Sequence, residues 1–184
     1  PHMLKIAELC EGLPVSAEST ATTAEGMIEE GQRLAALAPN IVVKLPVCEA
    51  GLAACRALAD AGVRVNMTLV FSPTQALMAA NAGARYISPF VGRFDDIAED
   101  GISQLDNVVT CIKNYDWTGK NVDDTVEIIT ASVRTPNHVT QAALLGADIA
   151  TVPMAALKKC LHHPLTDQGL ASFEADWQKV VAQA

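Results

Sequence analysis

No run of lysine or arginine longer than the pair Lys158-Lys159 occurs in the sequence, and 13 basic against 21 acidic residues leave a net charge of −8. The chain has nothing with which to neutralise a phosphate backbone, so no nucleic-acid partner is expected. No apolar stretch approaches the roughly 18 residues that a bilayer span requires. The opening residues also lack the basic, apolar and small-residue order of a signal peptide. A cytoplasmic protein without membrane contact is the expectation. Cys-x-x-Cys pairs are absent; Cys10, Cys48, Cys55, Cys111 and Cys160 are odd in number and scattered. That pattern argues against a disulfide framework and a zinc site, and reads as reduced residues, most of them in the core. His138, His162 and His163 show no metal-ligand spacing and read as solvated or helix-end groups. The Rossmann and P-loop glycine patterns are missing too, which weakens a nucleotide-binding reading.

What is present is a chain of 184 residues, half of them hydrophobic and 18% charged, able to bury one core and read as a single domain over 1–184. Pro1 and His2, ahead of Met3, look like a cloning remnant outside the fold. Short β-branched runs alternate with segments of helical spacing, as repeated βα units do. Six strand candidates result: Leu13 to Thr20, Asn40 to Val47, Val63 to Val70, Arg85 to Gly92, Thr125 to Val133 and Asp148 to Met154. Thr22 with Glu25 forms a capping-box pattern, and Ser72-Pro73 and Thr135-Pro136 each place a capping side chain before a proline. Gly62, Gly83 and Gly146 close helices. From Thr166 to Gln183, an apolar stripe of Leu170, Phe173, Trp177, Val180 and Val181 recurs at helical intervals, fit to pack on its own barrel or on a neighbouring subunit. Periodicity alone leaves an open doubly wound sheet and a (β/α)8 barrel equally open.

Lys44 interrupts Ile-Val-Val-Lys-Leu-Pro-Val, a run that is buried on both faces if its strand is central. It reads either as a lysine snorkelling to solvent or paired with a carboxylate, or as an amine whose pKa falls on desolvation until it can attack a ketone. Glu18, Asn66, Thr68, Ser88 and Ser132 are the other polar residues in strand-like runs. All are expected toward the carboxyl ends of strands, where barrel active sites are built. Singly, each can serve only its local backbone; together they converge. Arg93 and Arg134 form a second constellation, since an arginine beside a helix amino terminus can clamp a phosphate.

The motifs VSAEST with ATTAEGM, IVVKLPV with GLAA downstream, VNMTLVFS, YISPFVGR, ITASVRTP and FEADWQ resemble the transaldolase family and its relative fructose-6-phosphate aldolase, from about Leu4 to the end. The resemblance implies an α/β (β/α)8 TIM-type barrel, six of whose βα units are in this chain, with no metal and no organic cofactor. It makes Lys44 the imine-forming lysine, and Glu18 and Thr68 the residues that hold the catalytic water and pass protons. Asn66 and Ser88 then contact substrate hydroxyls, and Arg93, Ser132 and Arg134 form the phosphate pocket. Glu18 and Phe90 are similar to transaldolase residues, where the aldolase relatives carry glutamine and tyrosine. The implied activity is a class I Schiff-base transaldolase of pentose phosphate metabolism, acting on fructose 6-phosphate, sedoheptulose 7-phosphate and erythrose 4-phosphate.

The family begins with two further strands, the first carrying an aspartate that acts as acid/base in carbon–carbon cleavage, and neither is in this sequence. Open edges at the first and last strands would then invite pairing, and a homo-oligomer is expected. Loss of a general acid/base lowers turnover by about 10²- to 10⁴-fold while leaving imine formation possible. Two alternatives stand beside the transaldolase reading: an aldolase-like lyase releasing dihydroxyacetone, and a non-catalytic sugar-phosphate-binding or assembly module.

Overall fold

The computed structural model describes residues 2–183. Helix α1 (His2–Leu9) leads into β1 (Val15–Glu18), α2 (Ala24–Ala35), β2 (Ile41–Pro46), α3 (Glu49–Asp60), β3 (Val65–Val70), α4 (Pro73–Asn81) and β4 (Tyr86–Pro89). A longer connection carries α5 (Gly92–Asp95) and α6 (Gly101–Lys113) before β5 (Glu127–Thr130). The chain closes with α7 (Pro136–Leu145), β6 (Ile149–Ala150), α8 (Met154–Cys160) and α9 (Pro164–Val181). All six expected strands are present, each shorter than its apolar run.

The strands form one parallel sheet in chain order, β1-β2-β3-β4-β5-β6. Alternation along each strand sorts side chains between two faces. Val43, Leu45, Val65, Met67, Ile87 and Ile128 pack outward against Met27 of α2, Leu58 of α3, Ala76 and Ala80 of α4, and Leu105, Val108 and Ile112 of α6. Fully buried leucines and isoleucines in this layer each contribute about 1.5–3 kcal/mol. Small residues bring the helices close: a Cβ on Gly31 of α2 would lie 2.8 Å from Leu58 Cδ1. The inner face carries a small apolar cluster of Val42, Tyr86 and Ile129. The sheet curls enough for Leu13 and Ser16, at one end, to line the same concavity as Ile149 and Thr151 at the other. The architecture is six βα units of a TIM-type barrel, which decides between the two arrangements that periodicity leaves open.

Helix starts follow local chemistry. Ser72 accepts from the Gln75 N–H and Thr135 from the His138 N–H, each ahead of its proline. At α2 the cap is Thr23, which accepts from the Gly26 N–H, one residue beyond the Thr22 expected from the sequence. Gly146 ends α7 at φ 83, a left-handed conformation open to glycine.

Of the two residues read as a cloning remnant, Pro1 lies outside the described residues and His2 is the first residue of α1. That helix is tied to the sheet by Asn40, whose Nδ2 donates to the carbonyls of Ala7 and Leu13, both at 2.9 Å. Of the five free cysteines only Cys55 is buried; Cys48 and Cys160 are exposed. Helix α9 buries no residue, so its stripe from Leu170 to Val181 faces solvent and does not pack on its own barrel. No helix among the described residues is long and apolar enough to cross a membrane.

Candidate active site

Parallel register sets the site. Glu18 pairs with Lys44 across β1 and β2, Lys44 with Asn66 and Pro46 with Thr68 across β2 and β3. Inward-pointing residues of neighbouring strands thus meet. Ser16, Glu18, Lys44, Asn66, Thr68, Ser88, Phe90 and Ser132 line one cavity of about 270 Å³, together with Ile129, Ala131 and Thr151. Asn66 reaches it from the second residue of β3, and Ser132 from just beyond β5, so not every member stands at the carboxyl end of a strand.

The Lys44 side chain is 25% exposed, and its Nζ donates to Glu18 Oε2 at 2.8 Å. The lysine is therefore in the cavity and paired with a carboxylate at once. Behind it runs a hydrogen-bonded chain: Ser88 Oγ donates to Asn66 Oδ1 at 2.7 Å, and Asn66 Nδ2 donates to Ser16 Oγ at 3.0 Å. Both ends of the Asn66 amide are used, which fixes its orientation. Thr68 Oγ1 is buried without a protein partner among the described residues, and the residue lines the cavity. The backbone is irregular here: the β3–β4 register shifts after Met67, and Leu69 has φ 59. Ser132 also sits at φ 59, a conformation that costs a non-glycine residue roughly 1–2 kcal/mol.

The loop after β1 is held by Glu30 of α2. Its carboxylate accepts from Ser19 Oγ at 2.6 Å and from the N–H groups of Thr20 and Ala21 at 2.8 and 3.1 Å. The Ser19 hydroxyl and these two amides hold its pKa down at about 2.

Arg93 and Arg134 do not line the cavity. Arg93 lies over the Phe90 ring, 5.1 Å from its centroid, while Phe71 packs on Phe90 at 5.8 Å. Arg134 is drawn to Asp96, its Nη1 and Nη2 meeting both carboxylate oxygens. His138, expected as a solvated or helix-end group, is in the first turn of α7 but buried. Its Nδ1 accepts the Arg134 backbone N–H at 3.3 Å and its Nε2 lies 3.0 Å from Asp95 Oδ2.

Sequence reasoning missed Ser16, which two-residue alternation back from Glu18 would have found. It also missed Asp95 and Asp96, for which no sequence signal existed. Among the described residues no group of three or more His, Cys, Asp or Glu is arranged to hold a metal ion.

Residues 2–184 match the family described as Transaldolase/Fructose-6-phosphate aldolase. A "Probable transaldolase" of Thermus thermophilus is 56% identical over 179 residues, 97% of this chain and 77% of the relative. One from Lysinibacillus sphaericus is 53% identical over 178 residues, covering 97% of this chain and 79% of its own. A third, from Syntrophobacter fumaroxidans, is 51% identical over 182 residues, 99% of this chain and 79% of the relative. With a match over nearly its whole length and a curled βα sheet that gathers Lys44 and its companions, the chain belongs to the transaldolase/fructose-6-phosphate aldolase family.

Proposed function

We propose that the chain carries out class I Schiff-base chemistry at Lys44, moving a dihydroxyacetone unit between sugar phosphates. The observation that supports it most is the Lys44 Nζ, inside the cavity and 2.8 Å from Glu18 Oε2, with the unpartnered Thr68 hydroxyl in the same lining. Glu18 takes the ammonium proton, and the free amine adds to C2 of fructose 6-phosphate. The carbinolamine then loses water through Glu18 and Thr68, giving the protonated imine. That imine accepts the electron pair of the C3–C4 bond as it breaks, releasing glyceraldehyde 3-phosphate and leaving an enamine on Lys44. The enamine attacks the aldehyde carbon of erythrose 4-phosphate, and hydrolysis of the new imine frees sedoheptulose 7-phosphate and the lysine. The proton of the C4 hydroxyl passes to water as the C3–C4 bond breaks, and water returns one to the new hydroxyl when the enamine adds to the aldehyde.

Phe90 supports transfer over release, because its ring brings no hydroxyl to protonate the enamine. The sugar-phosphate class is also supported by the two arginines, Arg93 over the Phe90 ring and Arg134 two residues beyond Ser132.

Borohydride reduction in the presence of fructose 6-phosphate tests the reading. It is expected to add the mass of the reduced sugar adduct to Lys44; an unmodified Lys44 rejects imine chemistry and leaves a sugar-phosphate binder. Product formed without erythrose 4-phosphate would turn the assignment to an aldolase.

A further inference from the structure

The guanidinium of Arg134 has two edges that could hold an anion. Its Nε side lies close to the Gly92 backbone, where a built Cβ would come within 2.8 Å of Nε. The open edge, formed by Nη1 and Nη2, is taken by both oxygens of Asp96, with Nη2 2.6 Å from Oδ2. Asp96 follows α5 directly. Asp95, beside it, faces His138, and His138 accepts the Arg134 N–H. The end of α5 is therefore hooked to the turn after β5 through Arg134 and to α7 through His138, and Arg134 stays out of the lining that holds Lys44.

Phosphate and carboxylate present the same pair of oxygens to a guanidinium fork, so they compete for this one edge. Arg93 and Arg134 are balanced by Asp95 and Asp96, and an arriving dianion meets two carboxylates along with two cations. The Arg134 and Asp96 side chains are 46% and 49% exposed. Displaced from the fork, Asp96 would turn into water and not into the protein, which keeps the exchange inexpensive.

We propose that Asp96 determines specificity by occupying the phosphate-binding edge of Arg134, so that a phosphorylated ligand must displace it. This rests on reading the cavity as a sugar-phosphate site. Asp96 thus lowers the advantage of phosphorylated over unphosphorylated ligands.

Calorimetric titration of the whole chain with inorganic phosphate tests the proposal without using Lys44. Asp96→Asn and Asp96→Ala are expected to bind phosphate roughly two- to fivefold more tightly, in line with the loss of one exposed competing ion pair. Adding Arg134→Ala is expected to abolish that gain. Glu99→Gln, which removes a negative charge three residues away, is expected to leave phosphate affinity within about twofold, as a screened surface charge does. Unchanged or weaker binding in both folded Asp96 variants overturns the proposal, and so does an equal gain in Glu99→Gln, which would reduce the effect to net charge. A phosphate gain alongside failed borohydride trapping leaves the role of Asp96 standing and removes the imine reading.

Discussion

Lys44 and Glu18 stand opposite each other on adjacent parallel strands, and the lysine ammonium donates to the glutamate at 2.8 Å. The register fixes this pair, so the amine that would react and the carboxylate that would relieve it of a proton are brought together by the sheet itself.

Removing the carboxylate tests that relationship. Glu18→Ala is expected to lower turnover by roughly 10²-fold or more, the range for loss of a general acid/base. Because Glu18 is half exposed, its melting temperature is expected to change little. Steady-state kinetics beside a thermal melt separate the two effects, and unchanged turnover would exclude Glu18 from proton transfer.

Thr68→Val is expected to behave oppositely to an ordinary core lesion. The hydroxyl is buried and has no protein partner among the described residues, so replacing it with an isosteric methyl leaves stability equal or slightly higher. Imine formation, followed by the rate of borohydride-trapped adduct, should slow by roughly 10²-fold if the hydroxyl relays protons. A clear loss of stability with unaltered trapping would make Thr68 a packing residue.

Asn66→Ala strips partners from two serines at once. Asn66 and Ser88 are buried, and the Ser88 hydroxyl then has no acceptor, a cost of about 1–3 kcal/mol. Urea denaturation should show that loss, and Asn66→Ala combined with Ser88→Ala should be less destabilised than the sum of the singles. Additive effects would show that the hydrogen-bonded chain is not a unit.

Acid should loosen the loop after β1. Glu30 has an ordinary carboxyl pKa of 4.5 when unfolded and about 2 in the folded chain. The stability this carboxylate supplies is therefore complete above pH 4.5 and is lost as pH falls toward 2. The melting temperature is expected to drop across that window, and Glu30→Gln is expected to flatten this part of the profile. A variant with the parent's full acid dependence would assign the effect elsewhere.

The fold was legible where one residue type dominates a run. Ile-Val-Val and Val-Asn-Met-Thr-Leu-Val could hardly be anything but strands between glycine-closed helices, and Ser72-Pro73 and Thr135-Pro136 announced their helices by chemistry local to each. Lys44 was legible because a charge inside an apolar strand needs a partner. Thr23 was not chosen over Thr22, since adjacent threonines differ only in which one the backbone turns toward the Gly26 N–H.

The amino-acid sequence by itself determined the alternation of strand and helix and the family, because side-chain periodicity and motif order are properties of neighbours along the chain. Only the tertiary structure decided that Asp96 captures Arg134 from 38 residues away, that His138 is buried, and that the α9 stripe lies in solvent. Those outcomes depend on how closely separate segments approach, and at Gly92 the decisive distance is set by backbone packing that no spacing of residues encodes.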